Sequence, residues 1–472
     1  MTFEGVFLAL VIAGLLLLAG KVVRDRVRLF RSLFIPSSVI AGCFALLLGP
    51  QVLGVVIRRI AGSDHLLANG VIPAEVLEVW SSMPGILISV VFASLFLGKR
   101  IPGIRDIWLK AGPQVAFGQA VAWGQYVLGL VCALLILGPL FGMDPMSGAL
   151  IEIGFEGGHG TAAGLAGTFE SLGFPEGADM AMGLATFGLV AGVAAGTIMV
   201  NWAARTGRIA ATSPLEKARE EAARLSEFDE RETAETPASS DVTTDPLSLH
   251  IGIVGLAIAI GWLLLEGLVL LEQVSWQRLG LPGIMRYVPL FPMAMIGGIM
   301  IQLLMDRIGH TSSIDRRLMN HISGASLDFI IVAALGTLSL AALGDNIGPF
   351  AILALVGISW NVLAFLLLAP RIIPSFWFER GIGDFGQSTG MTVTGLLLIR
   401  VCDPQNRSGA MESFGYKQLL FEPVVGGGLF TAAALPLIAG LGPVAVLVIT
   451  GVLCAGWILF GIRLFGKRRS PA

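Results

Sequence analysis

Two stretches of the chain carry charge inside glycine-rich, otherwise apolar sequence. The first is Gly154-Phe155-Glu156-Gly157-Gly158-His159-Gly160-Thr161-Ala162-Ala163-Gly164, and the second is Gly383-Asp384-Phe385-Gly386-Gln387-Ser388-Thr389-Gly390-Met391-Thr392-Val393-Thr394-Gly395. A carboxylate at the centre of a bilayer costs about 2.5 to 3.5 kcal/mol on insertion scales, so Glu156 and Asp384 must be paired, protonated or bound to a cation. Glu422 raises the same question near the end of an apolar run. His159 can donate to a substrate carboxylate or to a backbone carbonyl. Thr161, Thr186, Ser388, Thr389, Thr392 and Thr394 offer the oxygens that hard cations such as sodium take, and Gln387 is a further candidate for binding substrate or ion. The hydroxyls are equally suited to back-bonding within a helix. Gly157, Gly158, Gly160, Gly386 and Gly390 free the backbone to turn and let a ligand reach peptide groups. Bond-making chemistry finds no support. The five histidines are scattered and no nucleophile with a base and an orienting partner is visible, so the chain does not read as an enzyme.

The elements that position these residues must lie in lipid. Of 472 residues, 55% are apolar, only 14% are charged, and 61 are glycine. A soluble fold carries about 25% charge, so the apolar excess has to face hydrocarbon. A net charge of -2 without a basic stripe leaves no footprint for nucleic acid. The four cysteines are far apart and sit in or near apolar runs, which argues against a disulfide framework.

Runs long enough to cross about 30 Å of hydrocarbon fall at residues 3–23, 35–56, 82–97, 114–141 and 178–202. After a polar break they resume at 248–271, 287–305, 326–343, 347–369, 418–441 and 443–465. Basic residues test this set, because cytoplasmic loops carry the excess of Lys and Arg. With the N-terminus outside and the C-terminus in the cytoplasm, all but Arg58, Arg59, Arg278 and Arg286 of the 31 basic residues fall inside. The spans themselves then hold almost no Lys or Arg, residue 417 closes a cytoplasmic stretch, and Asp328 caps the eighth span. Residues 205–246 read as a flexible cytoplasmic linker, with a capping box at Ser213–Glu216.

Five spans before the linker mean that a second copy of the first half would enter the membrane upside down. Pro36 to Gly42 and Pro292 to Gly298 share the pattern P-x-x-x-I-small-G in matched spans. Inverted repeats of this kind typify secondary transporters. The two glycine-rich stretches, about 144–172 and 375–400, are too short to cross. Eleven residues of helix cover only about 16 Å, so each is expected to dip in and return. A broken backbone at that depth must face protein or water. Its free carbonyls can hold a cation and its free N–H groups a carboxylate. The expected fold is an all-α polytopic membrane protein. It has two inverted five-helix repeats (residues 1–204 and 247–441), each with a re-entrant hairpin, and an extra C-terminal helix with a basic tail at 442–472.

Three blocks carry a resemblance to a known family. Gly157-Gly158-His159-Gly160-Thr161 is followed by small residues, Ala185-Thr186-Phe187-Gly188-Leu189-Val190-Ala191-Gly192 follows downstream, and Pro423-Val424-Val425-Gly426-Gly427 lies in the tenth run. The chain resembles the sodium/glutamate symporters of bacterial inner membranes. That resemblance implies sodium-coupled uptake of glutamate by a homodimer, with sodium as the coupling ion and no cofactor. The family pattern has a small hydroxyl residue at Glu156, an apolar residue at Glu422, and G-F-G-x-G-A-T-P-T across residues 384–392. The leading expectation is therefore symport of sodium with glutamate or a similar small organic anion. Sodium would be held by Glu156, Asp384 and hairpin carbonyls. The alternatives are the same fold carrying another amino acid or carboxylate with sodium or proton coupling and, more distantly, a channel or a membrane-embedded enzyme.

Overall fold

The computed structural model describes residues 2–32, 35–99, 101, 103–209, 246–275, 277–279, 283, 285–310, 313–403 and 407–466. Among these all regular structure is helical. Among the described residues nine helices are long and apolar enough to cross a membrane by length and composition, so the chain is a multi-pass membrane protein. The first, α1 (Phe3–Arg26), shows how local sequence sets such a helix. The Thr2 hydroxyl accepts from the Gly5 N–H at 3.1 Å, Glu4 sits in the first turn, and Arg24 and Arg26 sit in the last. Charges so placed complement the helix dipole. Its Phe7, Leu15 and Leu18 are exposed, as an apolar face turned to lipid requires.

Next come α2 (Ser37–Leu48), continued by further turns to Ala61, α3 (Ala74–Ser94) and α4 (Ile104–Cys132), continued to Phe141. The first glycine-rich stretch holds the short α5 (Gly158–Gly164) and α6 (Ala166–Ser171), and α7 (Glu176–Arg205) completes the first half. After the break come α8 (Pro246–Val274), α9 (Phe291–Arg307), α10 (Arg316–Gly336) and α11 (Ile347–Leu367). The second glycine-rich stretch forms α12 (Trp377–Gln387) and α13 (Thr392–Cys402), and α14 (Ala410–Phe421), α15 (Leu429–Leu441) and α16 (Pro443–Leu464) follow. The linker expected at 205–246 lies, from residue 210 to 245, outside the described residues, as does the tail from 467 on.

Helices pack in an exchanged pattern. α1 lies on α2 while α8 lies on α9, α2 meets α10 while α9 meets α3, and α3 and α10 meet each other. The glycines of the two matched motifs sit at these crossings. A Cβ on Gly42 would stand 2.7 Å from the Leu335 side chain of α10, and one on Gly298 would collide with the Ala93 carbonyl of α3. Small residues there let backbones approach closely.

Five expectations need correction. The eighth span runs Arg316–Gly336 rather than 326–343, and the charge that opens it is bound to protein: Arg316 donates to the carbonyls of Ser94 and Leu97 at 3.0 and 2.8 Å. Asp328 therefore lies mid-helix, and Asp315 is the cap, accepting from the Arg317 N–H at 2.7 Å. The third and fourth spans begin at Ala74 and Ile104, eight and ten residues before the expected starts. The tenth span is not continuous. Between α14 and α15 the chain leaves helix over residues 422–428, and Gly426 and Gly427 take φ of +71° and +100°. Only glycine adopts such angles at little cost, so this break is written into the sequence.

Candidate functional site

Asp144 opens the first glycine-rich stretch, its carboxylate accepting from the Met146 N–H at 2.8 Å. The following turns loosen into a widened helical turn over Glu152–Glu156, the chain bends at Gly157, and α5 begins at Gly158. Widened turns of this kind recur at functional sites. Gly158 has φ of +68°, and a Cβ on it would lie 3.0 Å from the Gly390 carbonyl oxygen. The tips of the two stretches, more than two hundred residues apart in sequence, thus meet.

The second stretch folds back on itself: Gly383 faces Ile399 and Gly386 faces Gly395 across α12 and α13. Its turn is held from outside. The Ser388 carbonyl accepts from Gln125 Nε2 at 2.8 Å and Asn361 Nδ2 at 2.5 Å, and Gln114 Nε2 donates to the Arg380 carbonyl at 3.0 Å. Gly188 and Gly192 of α7 leave room for Thr389, whose hydroxyl bonds back to the Phe385 carbonyl at 2.9 Å. Arg380 is engaged with the Ser408 carbonyl.

Between the turns lies a cavity of about 190 Å³. Of the residues singled out from sequence, Glu156, Gly157, Gly158, His159, Gly160, Thr161, Gln387, Thr392 and Glu422 line it. Ile88 and Phe92 of α3 with Leu327 and Ile331 of α10 close it on the apolar side. Thr186, Asp384, Gly386, Ser388, Thr389 and Gly390 stand behind that lining. Thr186 carries the lining indirectly. Its hydroxyl donates to the Met182 carbonyl at 3.1 Å, so Oγ1 accepts from His159 Nε2 at 3.0 Å. In the neutral ring Nδ1 is then an acceptor, and it has no partner. Neither oxygen of Glu156 makes a hydrogen bond, although the Ser388 hydroxyl and the Lys417 ammonium act on it. Glu422 sits at the helix break with Oε2 unpartnered, in the field of Lys99, Lys417 and Arg316. Beyond the end of α3, burial and the Arg316 cation push the Lys99 ammonium down to about 8, against the pull of Glu422. The positive field over Glu422 therefore weakens as the medium turns alkaline.

Two residues that sequence reasoning passed over complete the site. Lys417, read as the end of a cytoplasmic stretch, lies fully buried in α14, with Nζ 2.8 Å from Asp384 Oδ1. Phe414, Lys417 and Phe421 recur at helical spacing, and that aromatic-flanked lysine was the available signal. Glu152, one helical turn before Glu156, accepts from the Tyr126 hydroxyl at 2.5 Å, the Gly426 N–H at 2.9 Å and the Thr431 hydroxyl at 2.8 Å. It ties the first stretch to the break between α14 and α15.

A multi-pass helical protein with a cavity between interrupted helices, lined by Glu156 and Glu422, has the build of a membrane transporter. The family comparison names which. The sodium/glutamate symporter family model matches residues 80–373, more than half of the chain, and the protein belongs to that family. Among curated proteins none matches it significantly. Membership and the membrane-helical fold together support a sodium-coupled transporter rather than an enzyme.

Proposed function

We propose that the protein couples inward movement of sodium to the uptake of glutamate or a similar small organic anion, exposing one site alternately to the two sides of the membrane. The observation that carries this reading is the cavity between the two glycine turns, lined from both by Glu156 to Thr161 and by Gln387 and Thr392. Peptide N–H groups at the starts of α5 and α13 would hold the substrate carboxylate. Glu156 and turn carbonyls would hold sodium. Each net positive charge moving in down 100 mV releases about 2.3 kcal/mol, and the sodium gradient adds to it.

In this reading the stretches 144–172 and 375–400 are re-entrant hairpins dipping from opposite sides, and residues 1–204 and 247–441 are inverted repeats. Supporting the duplication, Gly42 and Gly298 occupy matched motifs and pack on α10 and α3, helices in matched positions of the two halves. Alternation then comes from one hairpin-bearing bundle moving against the rest. The distribution of basic residues supports an N-terminus outside and a C-terminus in the cytoplasm of a bacterial inner membrane. The family resemblance supports a homodimer.

Uptake of labelled glutamate into proteoliposomes, driven by a sodium gradient and compared with a potassium gradient of equal size, tests the coupling. Uptake indifferent to sodium, or none at all, sinks it. A second reading keeps the fold and changes the cargo to another amino acid or carboxylate, with sodium or proton coupling. The unpartnered acceptors Glu156 Oε1 and Oε2, His159 Nδ1 and Glu422 Oε2 favour a cargo that brings its own donors in an ammonium group, which glutamate shares with every other amino acid and a simple dicarboxylate lacks. Thermal stabilisation by a panel of amino acids and dicarboxylates, in sodium and then in potassium, separates the two.

A further inference from the structure

The second turn region already contains a cation. Lys417 Nζ lies 2.8 Å from Asp384 Oδ1, 3.0 Å from Gln387 Oε1 and 3.7 Å from the centre of the Phe421 ring. Lys417 and Asp384 are 0% exposed, and Gln387 is 2% exposed. Gln387 Oε1 also accepts from Gln418 Nε2 at 2.8 Å, which fixes the amide with its oxygen toward the lysine. Room for the ammonium comes from α4: a Cβ on Gly118 would stand 2.6 Å from Lys417 Cε and 2.8 Å from Nζ. One carboxylate oxygen and one amide oxygen are donors that a hard cation would also take. The aromatic face adds attraction for any cation held over it. Glu156 presents the opposite case. It is 4% exposed and faces the cavity, and neither of its oxygens makes a hydrogen bond, the Lys417 charge acting on it without an ion-pair contact.

We propose that Lys417 is a built-in counter-cation that takes the place of a coupling ion at the second turn, so that Asp384 binds no sodium and the site's demand for a mobile cation is confined to the Glu156 side. The proposal rests on the symport reading and deepens it. An ammonium tethered to α14 cannot leave with the cargo. It neutralises Asp384 in every state that keeps this pair together, and it contributes nothing to coupling. The protein then moves fewer sodium ions per cycle than two hairpin carboxylates would suggest.

The test uses the full chain in two formats. One is glutamate uptake into proteoliposomes as a function of sodium concentration. The other is the melting temperature of the purified protein as sodium chloride replaces choline chloride at constant ionic strength, since an ion that binds only the folded state raises it. Lys417→Gln uncovers Asp384, and the expected result is a steeper sodium dependence of uptake and a larger sodium-induced melting shift than in the parent. The double variant Asp384→Asn with Lys417→Met removes both charges, and its sodium response is expected to match the parent in slope or, where transport is lost, in melting shift. A Lys417→Gln protein that folds and responds to sodium as the parent does overturns the proposal. So does a double variant with a weaker sodium response, since Asp384 must then have held sodium beside the lysine. If Lys417→Gln fails to fold in either salt, the double variant alone decides. A parent that takes up no glutamate under any gradient strikes the symport reading, and the melting shifts still decide the role of Lys417.

Discussion

The two glycine turns hold carboxylates in opposite circumstances. Asp384 is buried with an ammonium at 2.8 Å, and a neighbouring turn carbonyl, that of Ser388, accepts from two amides. Glu156 is almost as deeply buried, yet both its oxygens lack hydrogen bonds, and the nearby imidazole offers only an unpartnered acceptor. Burial alone therefore does not say what an intramembrane charge is for. A satisfied charge braces structure, and an unsatisfied one beside a cavity asks for a ligand. The first turn lies inside the stretch matched by the family model, and the second lies beyond residue 373, where that match ends. The Asp384–Lys417 pair thus lies outside the stretch that the family model matches.

The contrast can be broken most easily at the carboxylates themselves. Asp384→Asn leaves a buried ammonium without its partner and is expected to cost about 3 to 5 kcal/mol, read by unfolding in detergent. Glu156→Gln removes a charge with no hydrogen bond, so stability should hold or rise while transport is lost. Equal losses of stability in the two variants would erase the distinction between the turns.

Glu152 sharpens the contrast within one helical turn. Three donors converge on it, so Glu152→Gln should cost about 1 to 3 kcal/mol and loosen the break at residues 422–428, seen as faster amide exchange around Gly426. If Glu152→Gln is as harmless as Glu156→Gln, the bracing role assigned to Glu152 fails. Gly158→Ala tests the contact of the tips. Backbone strain of about 1 to 2 kcal/mol is expected from the left-handed conformation, with lower glutamate uptake because the added methyl group presses on the Gly390 carbonyl. An unchanged melting temperature would show that the turn is not held in this shape. Smallest is Thr186→Val, which removes the acceptor for His159 and should cost about 0.6 kcal/mol, the typical value for such bonds in membranes. A change in cargo affinity without loss of stability would mark His159 as a ligand group rather than a brace.

Much of the fold was legible because lipid imposes a simple rule on sequence. Runs such as residues 3–23 and 443–465 fall within α1 and α16 to within a few residues, since nearly every residue there must be apolar and the few charges stand at the helix ends. The rule fails where a polar segment is satisfied by protein. The first turns of α10 looked like loop because Arg316 and Arg317 are charged, yet Arg316 is bound to carbonyls at the end of α3 and beyond it. The tenth run looked continuous because hydropathy does not register a break made by Gly426 and Gly427. Within the site, the glycine turns stood out by composition, and nine of the residues singled out there and at Glu422 line one cavity. Glu152 did not stand out, because its three donors come from α4, the break and α15.

Sequence by itself determined that this chain lies in a membrane, where its long apolar helices run, and which short stretches carry charge among glycines. Those properties follow from composition and local spacing, which need no partner to be expressed. Only the tertiary structure decided which carboxylate is answered and which is not. Lys417 reaches Asp384 across 33 residues of chain, because α14 packs against α12 and Gly118 of α4 leaves the space. The energy of a buried charge depends on what other helices bring within a few ångströms of it, and that is a property of packing.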